Sequence, residues 1–358
     1  VNHVLAVERE QLILKVARRD GRVITTALAQ ELGLSEITAR RAINSLCSSG
    51  HLVRVHGGAT LPSNTKVEHV LGSATGLVVP TSDYYYARVI AGAESVAAQL
   101  GTRLVLGVTH YDEGSEKERV QRLIDLGVRG ILLATSVYEP GGVTGKWLDS
   151  LTLPVVLMER SFTYPETARE YDSVRSDHTY GAALAVRHLA ELGHTSIGLA
   201  IREETPTARG LKAGYEQTVA QLKLDVDAPY QPLPIIATDP EGTDIALNAF
   251  LDECIRQGTK AAIVHVDTHA SRLVELAASR GIRVPEDLSI VAYDDEVAAF
   301  ALVPLTAVSP PKHAVGASAM RLLDARLGDP TGGNDVPIQH LSLMPGLTVR
   351  ESTTKYHA

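Results

Sequence analysis

The chain has 358 residues, 44% of them hydrophobic, with a formal net charge of -8 and two cysteines. That length allows two or three domains with sizeable cores, and no stretch approaches the roughly 20 apolar residues that a membrane-spanning helix needs. Glu8, Arg9 and Glu10 stand where a signal peptide would be apolar, and Cys47 and Cys254 lack metal or redox spacing, so the expectation is a cytoplasmic protein with reduced packing cysteines.

Charge is unevenly distributed along the chain. Residues 1–72 carry nine Lys/Arg against six Asp/Glu, which leaves 25 against 36 for the remainder. A cationic head on an acidic body is compatible with binding phosphate, because salt screens charges beyond about 8 to 10 Å. The body then needs a different kind of partner.

In chain order, Leu12, Ile13, Val16 and Ala17 recur at helical spacing within 7–19, and Asp20-Gly21 stops the run. Thr25 or Thr26 is expected to cap a second helix over 27–32, and Gly33-Leu34 turns the chain into a third. There Ser35 is placed to cap and Glu36 to favour the positive end of the helix dipole. Ala39, Ala42, Ile43 and Leu46 form one apolar stripe, while Thr38, Arg40, Arg41, Asn44 and Ser45 lie elsewhere on the helix. Gly50 is expected to end it, and 51–56 reads as a short strand closed by Gly57-Gly58. A helical dimerisation module is the alternative, but it needs neither paired arginines nor a glycine-closed hairpin.

The stretch from Ser35 through Arg40-Arg41 to His56-Gly57-Gly58-Ala59 resembles the DeoR-type winged helix-turn-helix, over roughly residues 8 to 61. The resemblance implies a DNA-binding domain over 1–61, with Ser35, Thr38, Arg40, Arg41 and Asn44 on the recognition helix and Arg54, His56 and Gly57 on the wing. Ala42 departs from the pattern, which commonly has an aspartate there to orient one of the arginines.

Residues 62–75, with Pro62, Ser63, Asn64 and Gly72, read as a linker. From 76 to 358 the texture changes to short apolar runs (GLVVP, RLVLGV, GILLAT, PVVLME, SIGLAI, AAIVHV, LSIVAY) alternating with amphipathic segments. Such runs are strands buried on both faces, so the fold class is α/β, with doubly wound parallel sheets. Ligands in these folds bind at the carboxyl ends of strands.

The pieces LVVPTSDYYYARVIAGAE, PVVLMER, DSVRSDHTYGAALAVRHLAELGHTSIGLA and GIRVPEDLSIVAYDD, in that order, resemble the effector-binding body of LacI/GalR regulators. That family is itself similar to periplasmic sugar-binding proteins. The resemblance implies two lobes, a small-molecule ligand in the cleft between them, and a homodimer formed through the body. It places Tyr85 and Tyr86 as the aromatic pair of the cleft and Asp294 as the acid that holds hydroxyls or a ring nitrogen. An aromatic face suits the apolar side of a sugar and a carboxylate suits its hydroxyls. The plainer readings are core packing for the tyrosines and a helix cap for Asp294-Asp295.

Two departures matter. The position of the family's ligand-gripping arginine, three residues before Gly214, is Leu211, and the asparagine expected before Asp267 is Val266. Arg209 or Arg160 is the candidate replacement, each weighed against a solvated surface arginine, and Asp267 remains a candidate contact. The family's hinge helix, with its Ala-Leu motif, has no counterpart in the linker, so minor-groove duty falls to the wing.

His265, Asp267 and His269 alternate and, on a strand, would share one face as metal ligands can. No nucleophile motif or phosphate loop accompanies them. The expectation is therefore no enzyme, metal or cofactor: a transcription regulator, a repressor, that binds double-stranded operator DNA and a sugar-like effector and has no membrane partner. The alternative is a sugar sensor or sugar-modifying enzyme that does not act on DNA.

Overall fold

The computed structural model describes residues 12–14, 16–17, 22–48, 52–55, 57–60, 74–135, 147–160, 170–203, 205–328 and 336–356. It divides into two compact units, Val1–Ser73 and Ala74–Ala358.

In the first unit, helical residues 12–14 and 16–17 precede β1 (Arg22–Ile24), α1 (Thr25–Glu31), α2 (Glu36–Ser48), β2 (Val53–Val55) and β3 (Gly58–Thr60). Ile13, Ala17, Val23, Leu28, Ala39, Ile43, Leu46 and Leu52 bury one another in a single core. The strands form an antiparallel sheet in the order β1-β3-β2, so the wing has three strands. Sequence reading finds only the outer hairpin, because β1 pairs with β3 across most of the unit, Arg22 opposite Thr60, with no local turn to announce it.

Neither Thr25 nor Thr26 caps α1, contrary to expectation. Ile24 holds the N-cap position, and the Thr25 N–H donates to Gly57 O at 3.0 Å, so the wing turn satisfies one of the donors that every helix start leaves open. Gly57 adopts φ +81, and a Cβ on Gly58 would lie 1.9 Å from Val23 O. Both glycines are therefore required by the wing. The expected stop at Gly50, His56 and most of the expected linker lie outside the described residues.

The second unit is built on two six-stranded sheets. The first lobe contains β4 (Ala74–Val79), α3 (Tyr84–Gln99), β5 (Arg103–Val108), α4 (Glu113–Asp125), β6 (Ile131–Leu133), β7 (Val155–Met158) and β8 (Asp172–Ser176). The second contains α5 (His178–Glu191), β9 (Gly198–Ile201), α6 (Pro206–Gln221), β10 (Tyr230–Pro232), α7 (Pro240–Gln257), β11 (Ala261–Val264), α8 (Asp267–Ser279), β12 (Ser289–Tyr293) and β13 (Thr306–Ser309). The chain then returns to the first lobe as α9 (Lys312–Gly328) and β14 (His340–Leu343), and ends in the second with β15 (Gly346–Thr348).

Strand order is β14-β8-β7-β6-β4-β5 in the first sheet, all parallel. It is β10-β9-β11-β12-β13-β15 in the second, parallel except for the β13–β15 pair. Three crossovers thus join the lobes: β8 to α5, β13 to α9, and β14 to β15.

The seven apolar runs all contain strands. β10, β14 and β15 escape the same reading because they are short and partly exposed at or beside sheet edges. Small residues let α9 lie directly on α3: a Cβ on Gly92 would meet His313 O at 2.0 Å and one on Gly316 would meet Val89 O at 1.9 Å. This seat fixes α9, and with it Lys312, at the mouth of the second crossover.

Candidate functional site

On the head, Ser35 Oγ accepts from Thr38 N at 3.2 Å and lies 2.8 Å from Thr38 Oγ1. Ser35 is therefore the cap of α2 and also fixes the Thr38 hydroxyl. With Ala39, Ala42, Ile43 and Leu46 buried, the helix turns Arg40, Arg41 and Asn44 outward. Ile37, 69% exposed, shares that outward surface and was not singled out by its sequence context. Arg54 is exposed on β2, where Val53 and Val55 are exposed as well, and Gly57 is exposed at the turn.

In the body, the carboxyl ends of β4, β7, β9, β11 and β12 converge between the lobes. The backbone is strained where they do: Tyr84, Glu159, Asp294 and Asp295 all have positive φ, at 45, 56, 93 and 56. Glu159, after β7, accepts from Tyr85 Oη at 2.7 Å, Ser176 Oγ at 2.9 Å and Ser176 N at 3.0 Å. It also lies 3.8 Å from His178 Nε2 across the lobe boundary, while His178 Nδ1 is 3.1 Å from Tyr293 Oη. Burial pushes the His178 pKa down against the pull of Glu159.

Asp267 is fully buried at the start of α8. One oxygen accepts from the backbone N–H groups of Glu296, Val297 and Ala298 at 2.6, 2.6 and 3.1 Å, and the other accepts from Tyr84 Oη of the opposite lobe. The candidate hydroxyl grip is thus occupied by the protein itself, and Asp267 shapes the 294–298 loop instead.

Asp294 is different. Its side chain is 5% exposed; burial first, and the neighbouring Asp267, Glu296 and Glu159 next, push its pKa up to about 7 against the pull of Lys312. Lys312 Nζ donates to Asp294 O, pairs with Glu296 at 2.5 Å and lies 5.1 Å from the Tyr85 ring centroid. Asp295 turns away, accepting from Ser309 Oγ at 2.6 Å and pairing with Arg350 at 2.8 Å. Neither aspartate caps a helix, since the next helical turn, Ala298–Phe300, has Val297 at its N-cap.

Of the aromatic pair, Tyr85 reaches the polar cluster, whereas Tyr86 is 4% exposed and packs in the first lobe's core. Burial holds the Tyr86 phenol up at about 12 although Arg160 lies beside it. Arg160 donates to Glu159 O at 2.7 Å. Arg209 is exposed on α6, and Leu211 is fully buried. Arg202, directly after β9, brings a guanidinium to the cleft from the second lobe; burial first, and its charge next, hold the His265 pKa down. Sequence reading missed it because no motif marks the residue after SIGLAI.

The alternating His265, Asp267 and His269 do not share a strand face, since β11 ends at Val264 and α8 starts at Asp267. His265 stands edge-on to Tyr293, and His269 Nε2 is 2.9 Å from Pro234 O. Among the described residues no group of three His, Cys, Asp or Glu is arranged to hold a metal ion. Among them, too, no helix is long and apolar enough to cross a membrane.

A DeoR-like helix-turn-helix model matches residues 9–65, and a periplasmic binding protein-like domain model matches 186–353. An HTH-type transcriptional regulator in the aml 5' region of Streptomyces limosus is 30% identical over 358 residues, spanning 95% of this chain and 98% of the relative. The chain belongs to the LacI/GalR-type transcription regulators. Its head is of the DeoR type and its function is DNA-binding regulation of transcription. The arabinose metabolism transcriptional repressor of Geobacillus stearothermophilus is 27% identical to this regulator, spanning 91% of it and 89% of the repressor. The fold matches a LacI family regulator of Enterococcus faecium solved with bound ribose, at a TM-score of 0.64 and 21% identity over 80% of this chain and all of that one.

Proposed function

We propose that this regulator is a repressor, and that a sugar held between the lobes controls its affinity for operator DNA. The observation that carries the reading is the contrast between Asp267, whose oxygens are taken up by the protein, and Asp294, a buried carboxylate with no hydrogen bond to its own oxygens among those described. Asp294 can accept from adjacent sugar hydroxyls, the face of Tyr85 covers the ring, and Arg160 approaches from the first lobe. The names of the arabinose repressor and of the ribose-bound relative support a pentose or hexose.

Arg40, Arg41, Thr38 and Asn44 then read the major groove, where arginine pairs bidentately with guanine and asparagine with adenine. Ile37 is placed to meet a thymine methyl. Arg54, His56 and the Gly57 backbone touch phosphate or the minor groove. A two-fold dimer reads a repeated or palindromic site.

Tyr84 to Asp267, His178 to Glu159, Arg88 to Glu296 at 3.6 Å and Lys312 to Asp294 and Glu296 all cross between the lobes. A ligand that alters these crossings changes the state of the body. A coupling of about 1 to 3 kcal/mol would shift operator affinity about 5- to 150-fold. The test is a thermal-shift screen of sugars on the full chain, since a ligand of the native state raises its stability by mass action. No stabilisation by any pentose or hexose, neutral or as its acid or phosphate, would remove sugars as effectors.

A further inference from the structure

The cleft has two chemically unlike ends. Around Asp294, the residues Glu159, Asp267 and Glu296 make an acidic region offset by Lys312 and Arg88. At the other end stand Arg160, from the first lobe, and Arg202, from the second, each at the carboxyl end of a central strand. Burial raises the Tyr111 pKa and the charges of both arginines draw it down, so the two guanidiniums lie in the same part of the cleft, one from each lobe. Neither forms an ion pair among the described residues, and the Nε of each is buried without a hydrogen-bond partner there. His265, 2% exposed beside Arg202, likewise has a buried Nδ1 with no partner.

Each half-buried guanidinium keeps a buried Nε donor without a partner, which is costly, and like charges brought into one part of the cleft repel. An anion between them removes both penalties and supplies charge-assisted hydrogen bonds, to which guanidinium is geometrically suited. We infer that Arg160 and Arg202 form an anion-binding subsite bridging the lobes, and that the effector is an anionic sugar, with hydroxyls toward Asp294 and a carboxylate or phosphate toward the arginine pair. This deepens the sugar-effector reading and rests on it. It also explains why the loss of arginine at position 211 need not leave the ligand ungripped: a guanidinium reaches the cleft from position 202 instead.

The experiment is calorimetric titration of the full chain, at constant ionic strength, with two matched trios: D-ribose, D-ribonate and D-ribose 5-phosphate, and D-glucose, D-gluconate and D-glucose 6-phosphate. An anionic member is expected to bind about ten- to a hundredfold tighter than its neutral parent. Which of the two anions wins identifies carboxylate or phosphate. Arg202→Gln and Arg160→Gln should each abolish that advantage while keeping cooperative melting, and Arg202→Lys should restore part of it. A neutral sugar that binds as tightly as both its anionic forms overturns the anion subsite and leaves the sugar reading standing. An anionic preference that survives both Gln variants overturns its assignment to these arginines. Binding by no member of either trio overturns the sugar reading and this inference together.

Discussion

The head and the body put their proposed functional residues on opposite sides of the burial divide. On α2, Arg40, Arg41 and Asn44 face outward, and the packing beneath them is done by other residues at three-and-four spacing. In the cleft, Asp267, Asp294, Glu159 and His265 are themselves nearly inaccessible, and each is held or perturbed by residues far away in sequence. On the proposed roles, substitutions on the head surface should alter DNA binding with little effect on stability, whereas a change in the cleft should act on stability and ligand response together.

The sharpest way to test that contrast is to remove the two cleft carboxylates separately. Asp267→Ala leaves three backbone N–H groups and Tyr84 Oη without their acceptor and should destabilise the body by about 3 to 5 kcal/mol, read by chemical denaturation. A cost as small as that of a surface substitution would show that Asp267 does not hold the 294–298 loop.

Asp294→Asn should do the opposite. With the folded pKa near 7 and an unfolded value near 3.9, the folded state binds more protons between those limits, so the Asp294 contribution to stability falls as pH rises from about 4 to about 7 and then levels off. The asparagine variant should match the parent near pH 4 and gain on it by about 2 to 4 kcal/mol by pH 8. Comparing variant with parent also cancels the contrary effect of His265 and His269, whose pKa values are pushed down by burial, to about 4 for His269. Those histidines lose stabilising influence as pH falls below about 6.5. A pH-independent difference would refute the Asp294 assignment.

Changes in the head should read out in DNA binding. Arg41→Ala should cost about 1 to 3 kcal/mol of operator affinity, with effector binding untouched. Ser35→Ala is the mildest change: loss of the cap should cost about 1 kcal/mol of head stability. If it weakened DNA binding far more than it weakened the fold, Ser35 would be a direct contact as well as a cap.

The same divide explains what was legible in the sequence. The apolar stripe of α2, its cap and the glycine wing are local patterns, and the structure bears out all three. Most buried strands also announce themselves, because a parallel sheet needs continuous apolar runs, although β8 and β13 carry polar residues and do not. Edge strands such as β10 and β15 carry no such run. Arg202, Glu159 and Lys312 belong to the cleft only because three crossovers bring strand ends together. Thr25 was misread for a related reason: its N–H is satisfied by Gly57 O, 32 positions on.

The proposed regulation requires coupling between the cleft and the operator. Operator affinity of the full chain, measured by fluorescence anisotropy on a duplex selected from random sequence, with and without a saturating sugar that raises its melting temperature, tests this directly. The account predicts a shift of at least about fivefold, abolished by a cleft variant that no longer binds the sugar. Equal affinity with and without a bound sugar would contradict it.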